Sequence, residues 1–151
     1  MHRALSNDWR RHLWLYGPLL VWIALIFVLG SGTGSMTETS RFIRPLLEFL
    51  FPHVSPETLT IYHGYIRKFA HFAEYGVLAV LALRAFAGAP VLNLLGRYRY
   101  GTAFLLVLVV AATDEFLQSF QPGRTASAYD VLIDLSGGVV ALAVIYIYSK
   151  F

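Results

Sequence analysis

Four carboxylates and two glutamines crowd one stretch of this sequence, T-D-E-F-L-Q-S-F-Q-P-G-R-T-A-S-A-Y-D-V-L-I-D-L-S-G-G, running from Thr113 to Gly138. Asp114 and Glu115 stand near the end of one apolar segment, Asp130 and Asp134 near the start of the next. On helices, Asp114 and Gln118 fall one turn apart on one face, and so do Asp130 and Asp134. Between them Gln121-Pro122-Gly123-Arg124 reads as a turn, because Pro fixes φ, Gly frees it and neither continues a helix well. A helical hairpin there gathers two acidic faces beside one arginine. Carboxylates so arranged bind a hard divalent cation, share protons, or pair with a base from another segment. Such a base stands upstream, in R-K-F-A-H-F-A-E-Y-G: Lys68, His71 and Glu74 recur every third residue, with Tyr75 one turn after His71. His71 or Glu74 suits proton transfer, and Lys68 and Arg124 suit an anionic phosphate.

The segments that must position these groups are strongly apolar. Of 151 residues, 57% are hydrophobic and 14% charged, with a mean hydropathy of +0.59. Soluble domains carry about a quarter charged residues, so this is a membrane composition. The net charge of +3 comes from basic residues scattered between apolar runs, which fits membrane topology and speaks against nucleic acid. Cysteine is absent, which excludes disulfides, thiolate ligands and a Cys nucleophile.

Four spans are expected, near 13–30, 66–86, 101–120 and 129–148, within one domain covering 1–151: an all-α membrane protein. A basic start followed by an apolar run also suits a signal peptide, but this run is longer than the usual signal core and no A-x-A site follows it. The first span is therefore read as retained, with Pro18 tolerated if a neighbour satisfies the backbone it frees. The connection over 31–65 is long. Its middle, R-F-I-R-P-L-L-E-F-L-F, reads as an amphipathic helix in the membrane interface, or else as a loop packed over the bundle. Ser55-Pro56-Glu57 is a helix start, with Ser as N-cap and Pro in the first turn. Ser136-Gly137-Gly138 invites a close helix neighbour.

With both termini inside, seven Lys and Arg residues fall on the cytoplasmic side and five on the other, which favours that orientation. The polar residues then cluster at the outer ends of the spans. Each has an ordinary reading when taken alone: Asp130 as a helix cap, Arg124 as a surface charge, Lys68 and Arg67 as interfacial anchors. Together they are harder to dismiss, since a Lys or Asp near mid-membrane is disfavoured by about 2.5–3.5 kcal/mol.

The pattern K-x-x-H-x-x-E-Y followed by D-E-x-x-Q-x-F-x-P-G-R-x-x-x-x-x-D-x-x-x-D-x-x-G resembles the VanZ-like family of bacterial membrane proteins. Its polar positions fall on Lys68, His71, Glu74, Tyr75, Asp114, Glu115, Gln118, Arg124, Asp130 and Asp134. The resemblance implies a multi-pass protein of the cytoplasmic membrane, with a role like that of the founding member in low-level resistance to teicoplanin. Three classes of function follow. The first is binding or modifying an envelope lipid, a cell-wall precursor or an amphiphilic antibiotic such as a lipoglycopeptide. The second is a cation-dependent hydrolase or transferase acting on a lipid phosphate, with Asp114, Glu115, Asp130 and Asp134 as candidate ligands of a divalent cation. The third is a transporter or structural module, for which four spans suffice only in an oligomer.

Overall fold

The computed structural model describes residues 2–33, 36–88, 97–121 and 127–151, and their regular structure is entirely helical. Helix α1 (His2–Val28) runs into a π-helical turn (Leu29–Thr33), then come α2 (Met36–Leu50), α3 (Pro56–Ala87), α4 (Arg99–Gln118) and α5 (Ala128–Tyr148). Four helical stretches are long and apolar enough to cross a membrane: Trp9–Ser31, Pro56–Ala87, Arg99–Gln118 and Ala128–Tyr148.

Local chemistry sets the helix starts. Ser55 Oγ accepts the Thr58 N–H at 3.3 Å with Pro56 in the first turn, so α3 begins where the sequence signals it and runs unbroken into the second span. For α5 the cap is Ser127, whose Oγ accepts the Asp130 N–H at 3.4 Å. Asp130 itself is one turn in, where its charge suits the positive end of the helix.

Helix α3 is the axis of the bundle. It packs most extensively against α5, then α4 and α1, and α2 lies across its first turns. The shared core is built from Tyr75, Leu78, Ala79 and Ala82 of α3, Val107 and Ala111 of α4 and Ile26 of α1, among others. Five of the thirteen core residues are alanines, which suits helices that lipid gives no hydrophobic reason to associate and that close van der Waals packing must hold. The tightest approach is at Gly137, where a Cβ would collide with the Phe72 carbonyl. One residue on, a Cβ at Gly138 would stand 2.9 Å from Val107 Cγ1. The expected partners of the glycine pair are thus α3 and α4.

Pro18 leaves a defect in α1. Lacking an N–H, it cannot bond the carbonyl four residues back, which belongs to Trp14. Arg84 of α3 fills the gap, its Nη2 donating to Trp14 O at 3.1 Å. Two further bonds stitch α1 to α3, from Trp22 Nε1 to Glu74 O at 3.0 Å and from Arg11 Nη2 to Gly88 O at 3.3 Å.

Helix α2 has three faces rather than two. Leu47 is buried, and Thr39 and Ser40 turn toward α3. Arg41, Arg44 and Glu48 form an exposed polar face, with Arg44 Nε donating to Glu48 at 2.9 Å. Phe42, Leu46, Phe49 and Leu50 form an exposed apolar face. One side toward protein, one toward water and one toward hydrocarbon is the arrangement an interfacial helix needs.

Two substitutions test this packing. Gly137→Ala should lower stability by about 1–3 kcal/mol, because the new methyl must push α3 and α5 apart. Gly64→Ala on α3, where a Cβ meets nothing within 4 Å, should be neutral or slightly stabilising. Thermal unfolding followed by helix ellipticity in detergent decides, and equal losses would refute the close contact. In the same assay Arg84→Leu should cost about 1 kcal/mol in the native sequence and much less beside Pro18→Ala, which restores the N–H that Trp14 O lacks. Additive losses would show that Arg84 does not serve that carbonyl.

Candidate functional site

The polar residues meet at the end of the bundle that carries α2. Counting from Arg99 to Asp114 and from Asp134 to Tyr148 at 1.5 Å per residue puts both carboxylates roughly 21–23 Å from the other end. If the far helix ends mark one boundary of a hydrocarbon core of about 30 Å, both would lie roughly 7–9 Å inside the other. Asp114 and Asp134 are each 3% exposed.

Each carboxylate meets the cost of that depth differently. Asp114 Oδ2 accepts from Gln118 Nε2 at 2.7 Å, the one-turn partner that helix spacing predicts, and from the buried Tyr75 hydroxyl at 3.4 Å. The π-helical turn passes directly over it: a Cβ at Gly30 would collide with Asp114 Oδ1. Gln121 Nε2 fastens the same turn by donating to Gly30 O at 2.7 Å. Asp134 faces His71 across the α3–α5 seam, Oδ1 to Nδ1 at 3.4 Å. That is ion-pair distance without hydrogen-bond alignment, and neither atom has a hydrogen-bond partner among the described residues. Glu74 Oε1 is in the same position.

Glu115 points elsewhere. Its Oε1 accepts the Ser127 N–H at 2.5 Å, so it closes the α4–α5 connection and caps α5 from outside. The four candidate cation ligands therefore do not converge. Asp114 is held by Tyr75 and Gln118, Glu115 by a backbone N–H and Asp134 by His71, while Asp130 remains in the first turn of α5. Among the described residues no three His, Asp or Glu side chains are grouped as a metal ion requires. Arg124 lies outside the described residues.

Lys68 also departs from expectation. It is exposed and lies over the Tyr129 ring, 4.6 Å from its centroid. Helix geometry gives the reason: three-residue steps drift by about 60° each, so Lys68 and Glu74 end up about 120° apart, on either side of His71. Arg67, four residues before His71, falls on Glu74's side instead. It is Arg67 whose guanidinium interacts electrostatically with Asp130, Glu115 and Asp114. The sequence allows Arg67 either as an interfacial anchor or as a partner of the carboxylates, and its i, i+4, i+7 spacing with His71 and Glu74 fits the second.

His63, one further turn up, was not singled out at all. Its ring is buried, with Nε2 3.0 Å from Thr39 Oγ1 and Nδ1 3.3 Å from Ser40 Oγ. A neutral imidazole donates to one hydroxyl and accepts from the other, which pins α2 to α3.

Between these elements lies a cavity of about 180 Å³. Arg67, His71 and Glu74 line it from α3 and Asp114 from α4, with Ile43 of α2 and Leu29 of the π-helical turn supplying apolar wall. The site is thus a mostly apolar pocket with a few polar side chains, bounded on one side by the amphipathic helix α2.

None of the curated proteins and none of the solved structures compared with the chain matches it. The sequence model of the VanZ/LLP1 family matches residues 13–149. That match runs from the first span to the end of α5 and takes in every polar residue described above, so the chain belongs to the VanZ/LLP1 family.

Proposed function

We propose that this VanZ/LLP1 membrane protein binds an envelope amphiphile at the outer face of the cytoplasmic membrane: a lipid, a cell-wall precursor or an amphiphilic antibiotic. The head group enters sideways beneath α2. The cavity carries this reading. Its 180 Å³ is close to the roughly 150 Å³ that encloses a benzene-sized guest and falls short of the roughly 300–1,000 Å³ of a drug-sized site. A head group fits, and the bulk of the molecule must stay in the bilayer. The apolar face of α2 supports the same route, because it keeps that helix at the depth where head groups lie. The excess of Lys and Arg on the opposite end favours both termini inside and α2 outside.

A modifying role is the second reading, favoured by His71. Its ring lines the cavity with the buried Asp134 behind it, as a proton acceptor with an orienting carboxylate would be placed.

Topology comes first among the tests. The chain has no cysteine, so single-cysteine variants need no prior substitution. A cysteine at Thr60 should react with an impermeant maleimide added to intact cells, and one at Ser149 only after permeabilisation. The opposite pattern would turn the site inward and sink the proposal. Binding is tested with a photo-crosslinking residue at Ile43, which should capture an amphiphile in cells. Arg67→Gln should reduce that yield several-fold while leaving capture at the exposed Val144 unchanged. Equal yields with and without Arg67 would leave only bulk lipid contact.

A further inference from the structure

We infer that the group received by the cavity is a primary ammonium, held at Glu74 and Asp114. This rests on the proposal above that the cavity takes an amphiphile's head group.

The charge balance of the lining motivates it. Glu74 and Asp114 contribute two carboxylates against the Arg67 guanidinium and the His71 ring, and that ring is already opposed by Asp134. Glu74 Oε1 is a buried acceptor with no hydrogen-bond donor among the described residues, whereas Asp134, which does not line the cavity, has His71 Nδ1 opposite it at 3.4 Å. A buried carboxylate oxygen left without a donor is costly, and the remedy is a hydrogen-bonded positive charge. A metal ion is a poor candidate, because no three suitable side chains are grouped among the described residues. An anionic group is poorer still: at this depth it would face the carboxylates with only Arg67 in its favour. A primary ammonium matches on both counts. It carries one positive charge and three N–H donors, and it is small enough for 180 Å³ with a two-carbon tether. Arg67 stands one turn nearer the α2 end than His71, at the level where an attached phosphate would come to rest.

Phosphatidylethanolamine carries such a group, and so does the lysine of a lipid-anchored wall peptide. The full-length protein in nanodiscs, loaded with equal amounts of phosphatidylethanolamine, phosphatidylcholine and phosphatidylglycerol of identical acyl chains, is examined by native mass spectrometry. A lipid-anchored lysyl peptide is tested in a parallel sample. Charge-assisted hydrogen bonds of about 1.5–3 kcal/mol correspond to at least about tenfold retention of one amine ligand over phosphatidylcholine, which keeps the charge and loses the N–H donors. Which amine ligand is retained identifies the source. Glu74→Gln should bring the ratio to within about twofold. Equal retention of the ethanolamine, lysyl and choline lipids by the native chain overturns the inference whatever the variant does. Preferential retention of phosphatidylglycerol, lost in Arg67→Gln, overturns the ammonium while leaving the amphiphile cavity standing. No retention sensitive to either residue overturns both.

Discussion

The contact between Gly137 and the backbone of Phe72 is the constraint on which the rest depends. Where α5 lies backbone to backbone on α3, Asp134, a turn before Gly137, meets His71, the residue before Phe72, at 3.4 Å. A larger residue at Gly137 would separate the helices and leave a buried carboxylate with neither water nor imidazole. The same close approach brings Gly138 against Val107 and so fixes α4, which carries Asp114, in register with Asp134. Small-residue packing is how a bundle holds together where lipid competes for every apolar contact. Here the packing also sets the chemistry.

The polar residues divide into those that are satisfied and those that are not, and the division follows position. Asp114 Oδ2 with Tyr75 and Gln118, Glu115 Oε1 with Ser127 N and the His63 ring with Thr39 and Ser40 are satisfied within the protein. They hold helices together, and their depth is compensated within the protein. His71 and Glu74 keep polar atoms without hydrogen bonds on the cavity wall, and Asp134 Oδ1 stands opposite His71. An ion-pair network evolved for stability alone would have closed these as well, since each open group subtracts from a small net stability.

Much of this was legible in the sequence. The four spans, the helix start at Ser55-Pro56, the amphipathic stretch around Phe42 and Phe49 and the small-residue seam at Gly137 all follow from local pattern, and each takes the expected form. The Asp114–Gln118 bond does too, because both partners share one helix. What failed was inference across helices from spacing within one. Three-residue steps suggested that Lys68 accompanies His71 and Glu74, yet the accumulated rotation carries Lys68 to the surface and Arg67 inward. Four carboxylates in one stretch suggested a shared cation, but Asp114 and Glu115 are neighbours and so point about 100° apart. The Arg84 bond to Trp14 O was foreseeable in kind from Pro18; its donor lies 70 residues away and required the fold.

The family assignment narrows the role less than the geometry does. Teicoplanin-like amphiphiles are far larger than a 180 Å³ cavity, so a protein of this shape cannot enclose one. Any influence over such a molecule must pass through a part of it, or through the lipid or wall precursor beside which it acts. The three-faced α2 makes that physically reasonable. Its apolar side is exposed as a leaflet-facing surface would be, its buried side is latched to α3 through His63, and the cavity lies beneath it. On the proposed route a head group entering there would exchange interfacial water for polar atoms of the cavity, while its tail stayed in the bilayer. Recognition then costs no desolvation of the acyl chains. Selectivity rests on the few polar atoms at the cavity floor, where a carboxylate is worth several times what it would be in water.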